Sequence, residues 1–333
     1  MKYKAISINP KNPNQFIEIQ QPTLYPNPYD LVVEVKAISV NPIDLKIRQE
    51  HQKTSLQYPR ILGWDASGVV LTIGDQVENF KPGDHVFYAG ELNRSGSNTT
   101  SQLVDSRITG YKPKTLSWGE AAVIPLTALT AWEGLFDRLH INDSDQNKTL
   151  LIIGGAGGVG SLAIPLAKLY SKVKVIATSS REESLKWCLN RGADLVINYK
   201  NMPVELKIHG LKYIDYIFCL NDIDSHWPAI SEIISPQGQI CTIVSNNHPL
   251  DLTVLKIKSA ALHFEFIYTR SLFTTSDLSS QGDILNMISK NLDEKQLTSS
   301  LHTTLYGLNI DNILHAHKLI QNGHVCGKIG IVY

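Results

Sequence analysis

A chain of 333 residues is longer than one typical hydrophobic core, so its length predicts two domains. It carries 31 basic and 31 acidic residues and a formal net charge of zero, which argues against nucleic acid or an anionic membrane as a partner. No run approaches the ~20 apolar residues of a membrane span, and the first residues lack the apolar stretch of a signal peptide. We therefore expect a cytoplasmic protein.

The four cysteines are widely separated in the sequence. No two of them form a C-x-x-C pair, so the sequence contains neither a zinc-ribbon motif nor a dithiol redox motif. A cytosolic chain keeps its thiols reduced, and small apolar residues of this kind are usually buried. We expect four free thiols, at Cys188, Cys219, Cys241 and Cys326.

The first 120 residues are rich in Pro and Gly and predict many short strands. Strand candidates lie at 30–40, 66–73 and 85–88. A turn is predicted at 81–84, Lys-Pro-Gly-Asp, because Pro presets φ and Gly accepts unusual backbone angles. The pattern predicts a β-rich, barrel-like domain over residues 1–120.

From about Trp118 the pattern changes to alternating strands and helices, beginning with a mostly apolar helical stretch over 120–136. Alternation of this kind predicts a doubly wound parallel sheet with right-handed crossovers, here over residues 121–262. The predicted elements are strand 149–153, helix 162–170, strand 173–178, helix 182–191, strand 195–199, strand 214–220, helix 225–234 and strand 239–244.

Residues 263–333 become irregular again. Amphipathic helices are predicted at 284–292 and 310–320, and a closing strand at 327–333. We expect this segment to return to the first domain, which is then formed from both ends of the chain. The predicted fold class is therefore α/β, with a Rossmann sheet and a β-rich second domain.

A glycine-rich loop follows the buried strand 149–153 and precedes a helix. Its spacing, Gly155-x-Gly157-x-x-Gly160, is that of a dinucleotide fingerprint. We expect Gly155 to permit the turn, Gly157 to let a pyrophosphate approach, and Gly160 to let the helix pack on the strand. A glycine-rich turn without a ligand is the alternative, and Pro165 should kink the helix beyond its first turn. The loop residues assigned to the cofactor are Gly155, Gly157, Gly158, Val159 and Gly160.

The end of the second Rossmann strand distinguishes NAD from NADP. An acid there would bind the ribose hydroxyls, but the segment reads Ser179, Ser180, Arg181, which can donate to a 2′-phosphate. Glu182 comes next and either serves the ribose or stands in the first turn of the next helix. Tyr199, with Lys200, can close the same pocket, or be a strand-end aromatic and a solvated charge. The segment favours NADPH.

Motifs along the whole chain resemble the medium-chain dehydrogenase/reductase superfamily. Within it the chain resembles the quinone oxidoreductase branch, and most closely the zinc-type alcohol dehydrogenase-like subgroup. The resemblance implies a GroES-like β-rich catalytic domain, a small-molecule substrate and a homodimer. The motifs that carry it are Val-Asn-Pro-Ile-Asp at 40–44, Ile-Leu-Gly-Trp-Asp-Ala-Ser-Gly-Val-Val at 61–70, Lys-Pro-Gly-Asp-His-Val at 81–86, Pro-Leu-Thr-Ala-Leu-Thr-Ala-Trp at 125–132, the glycine loop, and Gly-Ala-Asp-Leu-Val-Ile-Asn-Tyr at 192–199.

The name of this subgroup conflicts with the residues present. Where zinc alcohol dehydrogenases place Cys, His and Cys at the catalytic metal, the motifs align Asn41, Trp64 and Leu126. An amide, an indole and an alkyl chain do not form a thiolate–imidazole zinc site, and the acidic neighbour Asp65 alone does not hold the ion. The stretch 89–102, where a structural zinc lobe would lie, contains no Cys. We predict that zinc is absent.

The resemblance also assigns residues to the nicotinamide and the substrate, in the cleft between the domains. Asn41 and Thr127 align with family positions near the nicotinamide, and Val244, at a strand end, is expected to contact it through its backbone. Asp44 is either catalytic or a turn or helix-cap carboxylate, and Phe266 and Phe273 wall the substrate pocket or pack in a core. The candidate catalytic residues are Asn41, Asp44, Arg48 (to orient Asp44 or a substrate oxygen), Thr127 and Tyr268 (as proton donor).

Three functions remain open from the sequence. The first is transfer of hydride from NADPH to a quinone or an α,β-unsaturated carbonyl without a metal, because such acceptors are already electron-poor. The second is a zinc-dependent alcohol dehydrogenase, as the subgroup name implies. The third is an NADPH-binding redox sensor with little turnover.

Overall fold

We analysed a computed structural model in which residues 3–52, 58–323 and 325–333 are described. The chain divides into two compact units, one of residues 1–129 with 268–333 and one of residues 130–267. The first unit is therefore built from both ends of the chain. The boundaries expected from the sequence are 120/121 and 262/263, nine and five residues before those of the structure at 129/130 and 267/268.

The elements are numbered in chain order. The first part of the chain contains β1 (Tyr3–Asn9), β2 (Asn12–Gln21), β3 (Asp30–Ser39), α1 (Pro42–Gln52), β4 (Arg60–Ile61), β5 (Ala66–Ile73), β6 (His85–Tyr88), β7 (Ser101–Asp105), β8 (Thr109–Tyr111), α2 (Trp118–Ala122) and α3 (Pro125–Trp132). The middle part contains a π-helical turn (Glu133–Arg138), β9 (Thr149–Ile153), α4 (Gly160–Tyr170), β10 (Lys174–Thr178), α5 (Glu182–Asn190), β11 (Leu195–Ile197), α6 (Met202–Ile208), β12 (Ile214–Cys219), α7 (Ile223–Ile233), β13 (Ile234–Thr242), α8 (Thr253–Lys256) and β14 (Ala261–Phe264). The last part contains α9 (Thr269–Phe273), α10 (Ser280–Asp293), β15 (Leu301–Tyr306), α11 (Ile310–Gln321) and β16 (Lys328–Val332); short 3₁₀ turns lie at Ser106–Ile108 and Tyr199–Asn201.

The first unit is organised around the long strand β3. It lies in a seven-stranded sheet of order β15-β16-β3-β5-β6-β8, with β7 also paired to β3, and a smaller sheet has the order β2-β1-β4. The sequence of β3, Asp-Leu-Val-Val-Glu-Val-Lys-Ala-Ile-Ser, is buried at eight of its ten positions, which fits a central strand. The C-terminal strand β16 pairs antiparallel with β3, so the end of the chain completes the sheet that its beginning starts.

The second unit is a parallel six-stranded sheet. Its order is β11-β10-β9-β12-β13-β14, and every neighbouring pair is parallel. Counted from β9, this is the 3-2-1-4-5-6 order of the Rossmann fold. The first strand, Thr-Leu-Leu-Ile-Ile, is buried at all five positions, as expected of a strand covered on both faces. Its carboxyl end lies at the switch point between β10 and β12, where this fold binds dinucleotides.

The predicted fold class is confirmed, and most predicted elements agree with the structure to within two residues. Strand 149–153 agrees at both ends, while helix 162–170 begins two residues earlier, at Gly160. The helix continues through Pro165, which removes the bond to the Ser161 carbonyl but leaves the first turn before it. The strand predicted at 239–244 ends instead at Thr242.

The four cysteines are buried and carry free thiols. Within the described ranges, no helix is both long enough and apolar enough to cross a membrane.

A buried acid pair lies within the second unit. Glu133, in the π-helical turn, and Glu265, just after β14, are both almost fully buried. Burial and the neighbouring Glu133 raise the pKa of Glu265 to about 8, although Arg138 Nε donates to its Oε2 at 2.8 Å. Two carboxylates at one buried place cannot both ionise at low cost, so the pair holds a proton at neutral pH.

This pair predicts a pH-dependent stability. A carboxyl whose pKa is raised on folding stabilises the fold fully below its unfolded pKa, and that stability is lost as the pH rises through about 8. Between pH 5 and 8 the free energy of unfolding should fall, and Glu133→Gln should flatten the fall because the repulsion on Glu265 is removed. Thermal unfolding across this range measures it, with the exposed Glu232→Gln as control. An unchanged slope in Glu133→Gln would contradict the shared proton.

Candidate active site

Three strand ends of the first unit bring one polar cluster together. In the antiparallel pairing of β16 with β3, Gly330 lies opposite Ser39. Two residues further, the same register sets Lys328 opposite Asn41. On the other side of β3, Ser39 N–H donates to the backbone carbonyl of Asp65 at 3.2 Å. Lys328, Asn41 and Asp65 thus meet because the sheet register aligns them.

The side chains of this cluster are joined by direct hydrogen bonds. Lys328 Nζ donates to Asn41 Oδ1 at 2.5 Å and to the Val40 carbonyl at 2.9 Å, and lies 3.5 Å from Asp65 Oδ2. Asn41 Nδ2 donates to Asp65 Oδ2 at 2.8 Å. Asp65 Oδ1 accepts the backbone N–H of Leu126 at 2.8 Å. The amide of Asn41 is therefore held between a cation and a carboxylate.

Asp44 lies in the first turn of α1, beside this cluster. Its Oδ2 accepts the backbone N–H of Asn41 at 2.8 Å, which is how an acid in the first turn of a helix satisfies the residue before it. The helix-cap role that the sequence left open is therefore present. The carboxyl is also buried next to Asp65 and Lys328, so it interacts with both charged groups in addition to capping the helix.

Burial moves the pKa values of all three ionisable groups. It raises the pKa of Asp44 to about 7 and that of Asp65 to about 6, with Lys328 opposing the shift in both. Burial likewise lowers the pKa of Lys328, which both carboxylates oppose. One ammonium faces two carboxylates, so the cluster can hold one further proton near neutral pH.

Tyr268 and Thr127 are both buried within the first unit. Burial, together with the negative charges of Asp65 and Asp44, holds the pKa of Tyr268 well above its usual value, so the phenol keeps its proton. Thr127 Oγ1 donates to the backbone carbonyls of Val123 and Ile124, at 3.2 and 3.1 Å, in the two residues just before its own helix α3. The Thr127 hydroxyl can still accept a hydrogen bond, but its proton is already directed to the backbone.

Arg48 lies further along α1 and has different neighbours. Its Nη2 donates to the Asn14 carbonyl at 3.2 Å, Nη1 lies 3.5 Å from His317 Nδ1, and the guanidinium stacks 4.8 Å from the Phe16 ring centroid. Asp44 is not among these contacts, so a role of Arg48 in orienting Asp44 stays a prediction.

The glycine loop of the second unit has the shape that a dinucleotide needs. A Cβ on Gly160 would lie 2.4 Å from the Gly155 carbonyl oxygen, so only glycine lets α4 begin this close to the loop. A Cβ on Gly157 would meet only the Gly154 oxygen, at 3.4 Å, which leaves its other side open. The positive φ of the turn, +88°, belongs to Gly154, while Gly157 N–H donates to the Gly154 carbonyl at 3.1 Å and so encloses Gly155 in the turn. The role of Gly155 in permitting the turn stays a prediction. A Cβ on Gly155 would instead lie 2.7 Å from the Cβ of Ala177.

The segment after β10 carries polar groups at the start of α5. Ser179 Oγ lies 2.6 Å from Ser184 Oγ, and Ser180 is exposed. Arg181 is the residue before the helix, with extended backbone and a partly exposed side chain. Glu182 lies in the first turn of α5, which is the second of the two positions considered for this acid from the sequence. Its carboxylate pairs with Lys186 at 2.6 Å.

The remaining candidates lie on loops. Tyr199 begins a 3₁₀ turn after β11, and its ring packs 5.8 Å from that of His226. Val244 lies two residues beyond the end of β13, and its N–H donates to Thr242 Oγ1 at 3.3 Å. Phe266 and Phe273 are 44% and 77% exposed, so neither is a core residue within its own unit.

Known proteins match this chain along its whole length. Residues 27–132 match the alcohol dehydrogenase GroES-like domain and residues 158–285 the zinc-binding dehydrogenase domain. A zinc-type alcohol dehydrogenase-like protein of Staphylococcus epidermidis is 39% identical over 322 residues, 96% of this chain and 95% of that one. The chain belongs to the zinc-type alcohol dehydrogenase-like family of the medium-chain dehydrogenase/reductase superfamily.

Further matches extend this family assignment. A crystal structure from Rhizobium etli CFN 42, assigned to the zinc-dependent alcohol dehydrogenases, is 39% identical, with a TM-score of 0.94 over 100% of this chain and 98% of that one. The human mitochondrial NAD(P)H oxidoreductase RTN4IP1 is 36% identical over 58% of this chain and 52% of its own length. The quinone oxidoreductase of Escherichia coli, solved with NADPH, shares the fold at 21% identity and a TM-score of 0.81, over 99% of this chain and 100% of that one. The protein is an oxidoreductase of the medium-chain dehydrogenase/reductase type.

The zinc in the family's name does not fit the residues of this member. Trp64 is fully buried, and its indole N–H donates to the Glu91 carbonyl at 2.9 Å. The indole therefore provides no ligand atom for a metal. Asn41 and Asp65 are engaged with Lys328, whose positive charge would repel a zinc ion. Among the described residues, no group of three or more His, Cys, Asp or Glu is arranged to hold a metal. The side chains at these positions form a hydrogen-bonded cluster and not a ligand set.

Lys328 is the residue of this site that the sequence analysis missed. It stands in the short strand Lys-Ile-Gly-Ile-Val, whose lysine resembles a solvated strand end. Its partners lie 287 and 288 residues away in the sequence, so no local pattern predicts them. Two predictions taken together could have indicated it: the closing strand at 327–333, which contains Lys328, and the return of that segment to the first domain.

Substitution by alanine should have different effects at the second and third glycines of the fingerprint, Gly157 and Gly160. Gly160→Ala should lower the melting temperature, because its Cβ would collide with the Gly155 backbone at 2.4 Å. Gly157→Ala should fold normally but weaken dinucleotide binding about tenfold or more, because its Cβ fills the open side of the loop. Thermal unfolding and fluorescence titration separate the two effects. Wild-type affinity in Gly157→Ala would show that no dinucleotide approaches there.

Proposed function

We propose that this protein transfers hydride from NADPH to a quinone or an α,β-unsaturated carbonyl without a catalytic metal. The observation that carries the proposal is the Asn41–Asp65–Lys328 cluster, which stands where the family name implies zinc. The human relative named as an NAD(P)H oxidoreductase supports the cofactor class. The quinone oxidoreductase that shares the fold is consistent with the acceptor class.

The loop after β9 would hold the cofactor. Gly157, Gly158 and Val159 would face the pyrophosphate, since the first N–H groups of α4 have no side-chain cap and suit an anion. Ser180 and Arg181 would bind a 2′-phosphate, while Glu182 is held by Lys186. Tyr199 and Val244 would contact its adenosine and nicotinamide ends. When bound, the reduced nicotinamide supplies a hydride, which carries two electrons.

The residues present favour an acceptor that is already electron-poor. A simple alcohol or aldehyde needs its oxygen polarised by a Lewis acid, and Asn41, Trp64 and Leu126 hold none. A quinone or enone spreads the added negative charge onto its oxygen, so hydrogen-bond donors suffice. Asn41 Nδ2 has two hydrogens and gives one to Asp65, so its amide would offer the second to that oxygen.

The reduced acceptor also needs a proton. Asp44, with a pKa raised to about 7 by burial, holds one near neutral pH, and the Tyr268 phenol keeps its own. Both lie near Asp65 within the first unit, so we propose that they supply or pass on this proton. Thr127 and Arg48 would act as positioning residues. We further propose a cytoplasmic location, which cell fractionation tests. The homodimer that the family resemblance implies is proposed as well, and light scattering of the purified protein tests it.

Cofactor preference tests the role of Arg181. Arg181→Ala should weaken NADPH binding about tenfold or more and leave NADH binding nearly unchanged, because only NADPH carries the 2′-phosphate. Fluorescence titration with both cofactors measures this. Lys174→Ala, which removes an exposed cation at the opposite end of β10, is the matched control and should bind both cofactors like the wild type. Tighter binding of NADH than NADPH by the wild type would reject the assignment.

Turnover with a panel of acceptors tests the reaction. NADPH should be oxidised in the presence of quinones or enones, simple alcohols should give no reduction of NADP, and a zinc chelator should have no effect. Absorbance at the NADPH band and metal analysis of tag-free protein are the measurements. Alcohol oxidation abolished by the chelator would support the zinc enzyme instead. Tight NADPH binding without turnover on any acceptor would support the redox sensor.

A further inference from the structure

Lys328 is a buried cation with few ways to be accommodated. The residue is 5% exposed, and its ammonium contacts the Asn41 amide oxygen, the Val40 carbonyl and the Asp65 carboxylate. Burying an ammonium costs several kcal/mol unless it is paired, and an apolar residue of the same size often serves stability as well. Stability alone therefore does not explain why a lysine stands here.

We propose that the Lys328 ammonium replaces the catalytic zinc ion of the family's name, as a fixed positive charge that positions Asn41 and keeps the Asp65 carboxylate ionised. Two of the positions that the family motifs align with the metal ligands are linked to this ammonium: Asn41 Oδ1 accepts its hydrogen bond, and the Leu126 backbone N–H donates to its partner Asp65. Lys328 is thus a positioning residue. Its effect on turnover rests on the proposed function, whereas its effect on the charges of the cluster does not.

The orientation of the Asn41 amide is the first consequence of this charge. An amide has a carbonyl end and an NH₂ end of nearly the same shape, so packing alone does not choose between them. Lys328 is a donor and requires the oxygen, while Asp65 is an acceptor and requires the NH₂ group. The pair therefore fixes Asn41 as a hydrogen-bond donor, which a substrate carbonyl oxygen needs.

The charge state of the carboxyl groups is the second consequence. The ionisable groups that face Lys328 are Asp65 before β5 and Asp44 on α1, and Tyr268 before α9 lies near both acids. Lys328 lowers the pKa of each acid against the effect of burial. Without the ammonium, both pKa values should rise by about one unit or more.

Lys328→Met tests the proposal, with Lys112→Met as matched control. Lys112 is a second buried lysine of the same unit, and its ammonium donates to the Pro113 and Leu116 carbonyls, with the rings of Trp118 beside it. In Lys328→Met, kcat at pH 7 should fall about tenfold or more, and the acid limb of its pH profile should move up by about one unit. The KM for NADPH should stay within about twofold, because the cofactor loop is untouched. Lys112→Met should leave the pH profile unchanged.

A second readout does not need turnover. Carboxyls whose pKa is raised further on folding lose stability as the pH rises, so the stability deficit of Lys328→Met should grow above about pH 6. The double variant Lys328→Met/Asp65→Asn removes the stranded charge and should recover part of that deficit, since it restores neutrality. Urea unfolding between pH 5 and 8 measures both variants.

The outcomes separate the two proposals. If no acceptor is reduced but the deficit of Lys328→Met grows with pH and Asp65→Asn relieves it, the proposed function fails and the charge role of Lys328 stands. A pH-independent deficit with no relief by Asp65→Asn, or an active Lys328→Met with an unmoved acid limb, would overturn the inference. If the single variant does not fold, recovery of a folded protein by the double variant supports the charge role, and failure of both refutes it.

Discussion

A buried ion pair in the first unit joins the last strand of the chain to the segment just before β5. Lys328 begins the last strand, and Asp65 precedes β5 near the start. Asn41 joins them through both ends of its amide. Because each buried polar atom of this cluster gains a partner only when the strands are in register, a slip of one residue would strand charges in the interior. The cluster therefore couples the sheet register to the chemistry at its end.

An ammonium group differs from a zinc ion in charge, in hydrogen bonding and in its inability to coordinate a substrate. It carries one positive charge, donates hydrogen bonds and has no vacant position for a substrate oxygen. It can orient an amide and balance a carboxylate, but it cannot polarise an alcohol by coordination. The enzyme that we propose, without a metal, therefore needs an acceptor with its own electron deficiency. The substrate class proposed for this chain follows from that difference.

Local patterns predicted the parts of the fold that are set locally. Fully apolar strands such as 149–153 and the glycine run after them carry their signal within ten residues, and the Rossmann alternation follows from them. The edge strand β15 was missed because its half-exposed sequence, Leu-His-Thr-Thr-Leu-Tyr, shows no clear alternation of buried and exposed positions. The fingerprint begins at Gly155, but the positive φ of the turn belongs to Gly154, where an added Cβ would lie 3.2 Å from Asn221 Oδ1.

The sequence could predict which residue types occupy the candidate site, but not which side chains contact one another there. Asn41, Trp64 and Leu126 stand in recognisable motifs, so the sequence could predict that zinc ligands are missing. It could not predict what takes their place, because burial of Lys328 depends on pairing across the whole chain. Once the register is known, the protonation of the cluster is constrained, because one ammonium balances only one of the two buried carboxyls and the other can hold a proton near neutral pH. Burial thus leaves Asp44 able to hold a proton near neutral pH while Lys328 favours the ionised form of Asp65, and the reduction that we propose for a quinone or an enone requires such a proton.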